Sequence, residues 1–261
     1  MSKSETSGRS VILVTGAAGQ IGSAIVTAIL KSEGCVIATD ADIDNLQIVA
    51  KKLNWDTSRI AIKQCDISHR KQIQAVILQG TLDFGIIDSL VANAGVSVFE
   101  NYLDRRDESI DWVSEVNLKG TLVCNQEFIK HRIQAGGGGI IVNVASHYGV
   151  VSPDPRIYTD CDRQNSEIYG ATKAGIIQMT RYYAVHAAEH QIRVNSVSPG
   201  GVRNPSDPQG PDFQKNYGHR CPMGRLAEID EIVGPIMFLL SESAGFVNGH
   251  NLIVDGGYTC W

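Results

Sequence analysis

The chain has 261 residues, 43% apolar and 20% charged, with a formal charge of −5. These proportions exclude a disordered or fibrous chain, and mild acidity without a Lys/Arg stripe argues against nucleic acid as a partner. No run reaches the roughly 18 apolar residues of a membrane span, so no membrane partner is expected.

In chain order, residues 1–9 read as a flexible polar tail and 10–261 as one domain. Short apolar runs alternate with longer amphipathic stretches. Val11 to Val14 precedes a helix from Gln20 to Lys31, and Cys35 to Thr39 precedes one from Ile43 to Leu53. Ile60 to Gln64 precedes His69 to Gln79, and Ile87 to Ala92 precedes a long helix over Ser109 to Ala135. Ile140 to Val144 precedes Ile168 to His190. Ile192 to Val197 precedes a loop and then Glu228 to Leu240, and Asn251 to Val254 closes the series. Near-continuous apolar strands are buried on both faces. Seven of them alternating with helices predict a single doubly wound α/β domain of the Rossmann type, a parallel sheet with helices on both faces. The six Cys are scattered with no CxxC, which fits a reduced, cytoplasmic setting. The seven His have no ligand spacing, so no metal site is expected.

The first strand runs into Thr15-Gly16-Ala17-Ala18-Gly19-Gln20-Ile21-Gly22. Glycines after a strand and at the start of a helix let a pyrophosphate approach the main chain, and the helix N-terminus offers free N–H groups. Gly16, Gln20, Ile21 and Gly22 are therefore candidate cofactor contacts. Asp40 ends the second strand, eighteen residues past Gly22. A carboxylate there accepts from the adenosine ribose and repels a 2′-phosphate, and no Arg or Lys lies between Thr39 and Gln47, which favours NAD over NADP. Asp42 and Asp44 read as caps of the next helix, a share in the ribose contact being the alternative for one of them. Asp66 is either an adenine contact, with Ile67 packed on the ring, or a cap of the helix near His69. Asn93-Ala94-Gly95 follows the fourth strand, and its small residues allow a ligand close to the backbone.

The fifth strand ends at Ser146, and Tyr169-Gly170-Ala171-Thr172-Lys173 follows later. Tyr and Lys four apart share a helix face. An ammonium beside a phenol lowers the phenol's pKa and makes it an acid–base group, and a serine hydroxyl can orient a substrate oxygen.

These segments, in this order over nearly the whole chain, resemble the short-chain dehydrogenase/reductase family of the non-extended type. TGAAGQIG, Asp40, Asp66, NAG, Asn117 in Val116-Asn117-Leu118, Ser146, YGATK and Pro199-Gly200 carry the resemblance. It implies reversible hydride transfer between a nicotinamide cofactor and an alcohol/carbonyl pair, and a seven-stranded parallel sheet. Ser146 would orient substrate, Tyr169 would be the acid–base and Lys173 would assist it while binding the nicotinamide ribose. Asn117 would hold a water in a proton relay behind the lysine. The resemblance also implies a homo-oligomer, a tetramer built in part on the long fourth and fifth helices. After the sixth strand the sequence reads Ser198-Pro199-Gly200-Gly201-Val202-Arg203-Asn204, without the family's threonine. Backbone contacts from Val202 to the carboxamide, and Asn204 in place of the threonine, are the expected substitutes.

Ser146 and Tyr169 are 23 positions apart, a wider gap than the family's, so residues 147–166 carry an insertion beside the reacting carbon. Its Asp154, Arg156, Asp160, Asp162 and Arg163 suit a small polar substrate, hydroxylated or anionic, better than a steroid. A surface insertion that never meets substrate is the alternative. The GVVSPDPRIY run and the closing GGYTCW resemble a subgroup of sugar and nonulosonic-acid biosynthesis that includes flagellin-modification oxidoreductases. Residues 204–220, with Tyr217 and His219, read as a substrate lid. His147 and Tyr148 are candidate substrate contacts. A 3-oxoacyl thioester reductase and an NAD-binding scaffold without activity are the competing functions. The first needs basic residues near Asp40 or Ala18, and none is there. The second has no need of Asn117, Ser146, Tyr169 and Lys173 together.

Overall fold

The computed structural model describes residues 9–160, 164–206 and 209–261. Residues 1–8 of the expected tail, Cys161, Asp162 and Arg163 of the insertion, and Asp207 and Pro208 of the lid lie outside them. The strands are β1 Val11–Thr15, β2 Cys35–Asp40, β3 Ile60–Gln64, β4 Ser89–Ala92, β5 Gly139–Val144, β6 Ile192–Pro199 and β7 Asn251–Val254. All pair in parallel in one sheet of order β3-β2-β1-β4-β5-β6-β7. The helices are α1 Gln20–Lys31, α2 Ile43–Lys52, α3 Arg70–Phe84, α4 Asp107–Val113, α5 Thr121–Gln134, α6 Glu167–His186, α7 Pro211–Arg220 and α8 Ile229–Leu240.

Strand β1 shows why the central runs are apolar throughout. Ile12 and Val14 point into a core formed with Ile25 and Ile29 of α1 and Ile232 and Ile236 of α8. Val11 and Leu13 point the other way, into a second core with Ile73 of α3 and Phe128 of α5. Alternate side chains thus serve opposite layers, and burying each large one contributes roughly 1.5–3 kcal/mol. The edge strands β3 and β7 are only partly buried, because each has a neighbour on one side alone.

Several boundaries differ from the sequence expectation. Strand β4 starts at Ser89, not Ile87, because Asp88 is used to enter the sheet: its N–H donates to Val11 O and its carboxylate accepts from Val11 N–H. Helix α3 continues past Gln79 to Phe84, with Ile73, Val76, Ile77 and Gly80 keeping its inner face buried. The long helix over Ser109 to Ala135 is divided: Ser114–Gly120, between α4 and α5, is a π-helical segment. Helix α6 stops at His186, and Ala188–His190 form a separate 3₁₀ turn. Helix α7 occupies what reads as loop, since α7 is completed by groups remote in sequence (below). Asp42 caps α2 as expected, accepting from Asn45 N–H at 3.0 Å.

Strand order reverses between β1 and β4, the switch point at which open parallel sheets leave a crevice beyond the strand C-termini. The glycine turn, Asp40, Asn93-Ala94-Gly95, Ser146 and Pro199-Gly200 all stand along that edge.

Candidate active site

A cavity of about 540 Å³ runs along this edge from Asp40 to Tyr169 and Lys173. Of the predicted catalytic and cofactor-binding residues, all line it except Asn117, Val202 and Asn204. Where it meets α1 the N-cap is Gly19, which has no side chain to occupy the first-turn N–H groups. Gly22 is dictated by packing, because a Cβ there would lie 2.0 Å from Gly16 O. Asp40 accepts from Ala18 N–H at 3.0 Å and from Asp42 N–H at 3.1 Å, so this carboxylate holds the glycine turn in place. Asn93 does the same from the other side: its Nδ2 donates to Thr15 O and Gly16 O, both at 3.0 Å. Thr15 Oγ1 accepts from Asn93 N–H and Ala94 N–H, a support that sequence reading missed. Gln20 Nε2 donates to Arg203 O at 2.6 Å, bridging the glycine turn to the start of the lid. An uncapped helix N-terminus, a carboxylate one strand away and small residues between them fit a dinucleotide with a free ribose 2′-hydroxyl.

Asp66 lines the same cavity, yet its carboxylate accepts from Ser68 N–H and Ser68 Oγ and holds its pKa below the ordinary value against the cost of burial. It shapes the turn ahead of α3, whose N-cap is His69, so it is not itself the cap. Ile67 is buried against Gly120.

At the other end, Ser146 leaves β5 in extended backbone and its Oγ accepts from Tyr148 N–H at 3.1 Å. The turn after it presses on α6, with Gly149 so close that a Cβ would lie 2.8 Å from the backbone at Lys173–Ala174. That contact places Ser146 beside Tyr169, where its hydroxyl favours the ionised phenol. Lys173 is 4% exposed, donates from Nζ to Val144 O at 2.9 Å and stands 5.5 Å from the Tyr169 ring centre. Burial brings its pKa down to about 8. The phenol departs from expectation. Its pKa is raised, because burial outweighs the lowering by Ser146, and Tyr158 adds to the rise. The lysine's hydrogen bond is directed to the backbone rather than to the phenol oxygen.

Asn117 is fully buried in the π-helical segment. Its side chain accepts from Val96 N–H at 2.7 Å and donates to Val96 O at 2.9 Å and Thr172 Oγ1 at 3.3 Å. It ties the strand-end loop to α6 behind Lys173. π-Helical turns recur at functional sites. Val202 bridges to Ala227 through Gly201 O and Arg203 N–H and does not line the cavity. Asn204 accepts from Ser206 N–H within its own turn, so the place of the missing threonine is not filled as expected.

A second cavity, about 390 Å³, opens on the other side of Ser146, Tyr169 and Gly200. The insertion contributes His147, Tyr148, Tyr158 and Asn165, and the lid contributes Gln209, Phe213 and Tyr217. Tyr217 faces in, while His219 is exposed. The insertion therefore does line the site, and its described lining residues are neutral. Arg156 is turned to solvent, its side chain 84% exposed and paired with Asp154; a pocket holding Arg156 is not what forms, because the two charges satisfy each other outside it. Phe99 and Gln209 carried no sequence signal, since each is a single residue in a loop.

Asp160 explains helix α7. Gly210 has no capping side chain, and the Asp160 carboxylate accepts from Asp212 N–H at 3.1 Å and Phe213 N–H at 3.2 Å in its place. Asn216 Nδ2 also donates to Thr159 Oγ1 at 3.0 Å. Insertion and lid are thus joined. Asp160→Ala is expected to weaken α7 by about 1 kcal/mol, the usual worth of an N-cap. Limited proteolysis should then cut within 204–220 severalfold faster than in the parent; equal rates would remove the clamp.

The free cysteines Cys35, Cys65, Cys124 and Cys221 are buried and Cys260 is exposed. Among the described residues, no cluster of three metal-ligating side chains and no helix able to cross a membrane occurs.

Residues 16–259 match the family model described as Enoyl-(Acyl carrier protein) reductase. The chain is 35% identical to a cis-4-hydroxycyclohexanecarboxylate dehydrogenase of Sinomonas cyclohexanicum, over 95% of this chain and 96% of that one. It is 33% identical to a 3-oxoacyl-(acyl-carrier-protein) reductase of Thermotoga maritima, again over 95% and 96%. A short-chain dehydrogenase of Leptospira borgpetersenii serovar Hardjo-bovis, solved with bound NAD+, superposes with a TM-score of 0.86 at 38% identity, covering 96% of this chain and 93% of that one.

Proposed function

The chain belongs to the short-chain dehydrogenase/reductase family, and from that premise we propose that it transfers hydride between NAD and a small polar alcohol or ketone. The observation that carries this reading is the meeting of the two cavities at Ser146 and Tyr169, with Lys173 buried behind them. When bound, NAD supplies the hydride acceptor. Ser146 holds the substrate oxygen, and Tyr169 Oη exchanges a proton with it. Lys173, fixed on Val144 O, adds positive charge behind the phenol. Asn117 is a positioning residue that fixes the loop and α6 around that lysine. Gly16, Gly22 and the N-terminus of α1 take the pyrophosphate, and Asp40 takes the adenosine ribose. Exposed Tyr182 and Val185 on α6 and Ile133 on α5 support a homo-oligomer, read here as a tetramer.

The test is NADH formation or consumption with a panel of polyols, sugars, hydroxy acids and ketones, NAD and NADP being run in parallel. No turnover with any of them would end this reading. Reduction of a 3-oxoacyl thioester is the second reading, favoured by the Thermotoga maritima relative. Asp40 speaks against its expected NADPH, since like charges brought together cost several kcal/mol. Asp40→Asn can keep the bond from Ala18 N–H while removing the charge. It is expected to raise the NADP/NAD ratio of kcat/KM by about 10–100-fold, that cost being only partly relieved. An unchanged ratio would take the ribose role from Asp40.

A further inference from the structure

Two residues lining the second cavity each carry a buried polar atom with no partner among the described residues. His147 Nδ1 and Gln209 Oε1 are both buried, and neither has a hydrogen-bond partner among the described residues. They come from different segments, the turn after β5 and the base of the lid, yet both residues line the same cavity beside Ser146 and Tyr169. A buried polar group without a partner costs about 1–3 kcal/mol. Neighbouring groups do not need the same explanation: Tyr148 Oη is hydrogen-bonded to Tyr158 Oη at 2.8 Å, Ser97 Oγ donates to Asn165 Oδ1 at 2.8 Å, and Tyr217 Oη accepts from Gly201 N–H at 2.7 Å. Packing fixes the imidazole, with the Tyr148 and Tyr258 rings 4.2 Å and 4.8 Å away between centres.

The chemistry of the pair is selective. Gln209 Oε1 is an acceptor and needs a donor, which a hydroxyl provides and a carboxylate does not. His147 is neutral at physiological pH, since burial brings its pKa down to about 4, and a hydroxyl can either accept from or donate to Nδ1. Among the described residues no Asp, Glu, Lys or Arg lines the cavity, and none of these offers an anionic ligand a counter-charge against desolvation. Aromatic faces around the cavity suit the C–H faces of a carbon chain.

We propose that His147 and Gln209 are specificity-determining residues, each hydrogen-bonding a hydroxyl of an uncharged polyhydroxylated substrate whose reacting carbinol lies between Ser146 and Tyr169. This rests on the oxidoreductase reading above for the reacting end, but makes a separate claim about the remainder of the substrate.

The test uses the full chain loaded with NAD or NADH. Linear polyols of three to six carbons are compared with secondary alcohols of the same chain length and with 3-hydroxybutyrate. Binding is read by saturation-transfer NMR and calorimetry, and turnover by NADH absorbance. At least one polyol should exceed its deoxygenated counterpart by tenfold or more in affinity and in kcat/KM. Gln209→Leu and His147→Phe should each cut the polyol value by roughly 10–100-fold, as expected when a buried hydrogen bond is lost, and change the simple alcohol's value less than about threefold. Melting curves identify a variant that fails to fold; Gln209→Leu, on the lid, then carries the comparison. No polyol binding, an unchanged polyol-to-alcohol ratio in the folded variants, or tighter binding of 3-hydroxybutyrate would each overturn the proposal. Polyol binding that depends on Gln209, without NADH formation, would support this pocket and sink the oxidoreductase reading. Turnover of simple alcohols without polyol preference would do the reverse.

Discussion

Tyr169→Phe is expected to lower kcat in either direction by about 10²–10⁴-fold, the range over which positioned acid–base groups act. The change removes one oxygen from a ring held beside Ser146 and 5.5 Å from the Lys173 nitrogen, so the scaffold is untouched. Affinity for NAD, measured by fluorescence titration, should stay within about threefold, because the residues proposed to take the pyrophosphate and adenosine line the other end of the cavity. The parent enzyme adds a pH signature. Its phenol is held above the ordinary tyrosine value by burial, so near neutral pH it carries its proton and is ready to donate to a carbonyl. Oxidation of an alcohol needs the deprotonated form, so its rate should rise with pH, and Tyr169→Phe should abolish that rise. Full activity in the variant, or an unchanged pH slope, would remove Tyr169 from the chemistry.

Gly22→Ala should have the second large effect. The added methyl would lie 2.0 Å from Gly16 O and 2.9 Å from Ala17 Cα, both in the glycine turn rather than at the end of a flexible side chain. Either the turn or the start of α1 must shift. Overpacking of this kind costs about 1–3 kcal/mol, read as a lower midpoint in urea unfolding. The turn that moves is the one held by Asp40 through Ala18 N–H and by Asn93 through Gly16 O, so cofactor binding should suffer more than stability. We expect NAD affinity to fall by about 100-fold or more, a loss of roughly 3 kcal/mol. A dissociation constant within threefold of the parent would mean that the glycine turn is not the pyrophosphate seat.

The clamp between Asp160 and α7 connects these chemical predictions to motion. The lid helix has no capping side chain of its own at Gly210, and the insertion supplies one. A lid whose N-terminus is held by a neighbouring loop moves with that loop. The residues that line the second cavity from the insertion and from the lid, Tyr158 and Phe213, are therefore positioned together; their rings are 5.4 Å apart between centres.

Much of the molecule was legible in the sequence because its signals are local. Continuous apolar runs mark strands buried on both faces, as the opposite destinations of Val14 and Leu13 illustrate. The glycine spacing, Asp40 and the Tyr169–Lys173 pair are set by short-range backbone geometry and need no knowledge of distant partners. What the sequence could not decide depends on contacts between remote segments. Helix α7 read as loop, since its cap is Asp160, 52 positions from Asp212. Arg156 read as a pocket charge because composition does not reveal direction, and its pairing with Asp154 turns it to solvent. The Tyr169 phenol reads in sequence as lowered by its lysine, but burial, a property of the packed interior, raises it and outweighs the lowering by Ser146. His147 and Gln209 carry no pattern at all. Only folding brings the end of β5 against the lid, and it is that closure which leaves their two polar atoms, in residues lining one cavity, without a partner among the described residues.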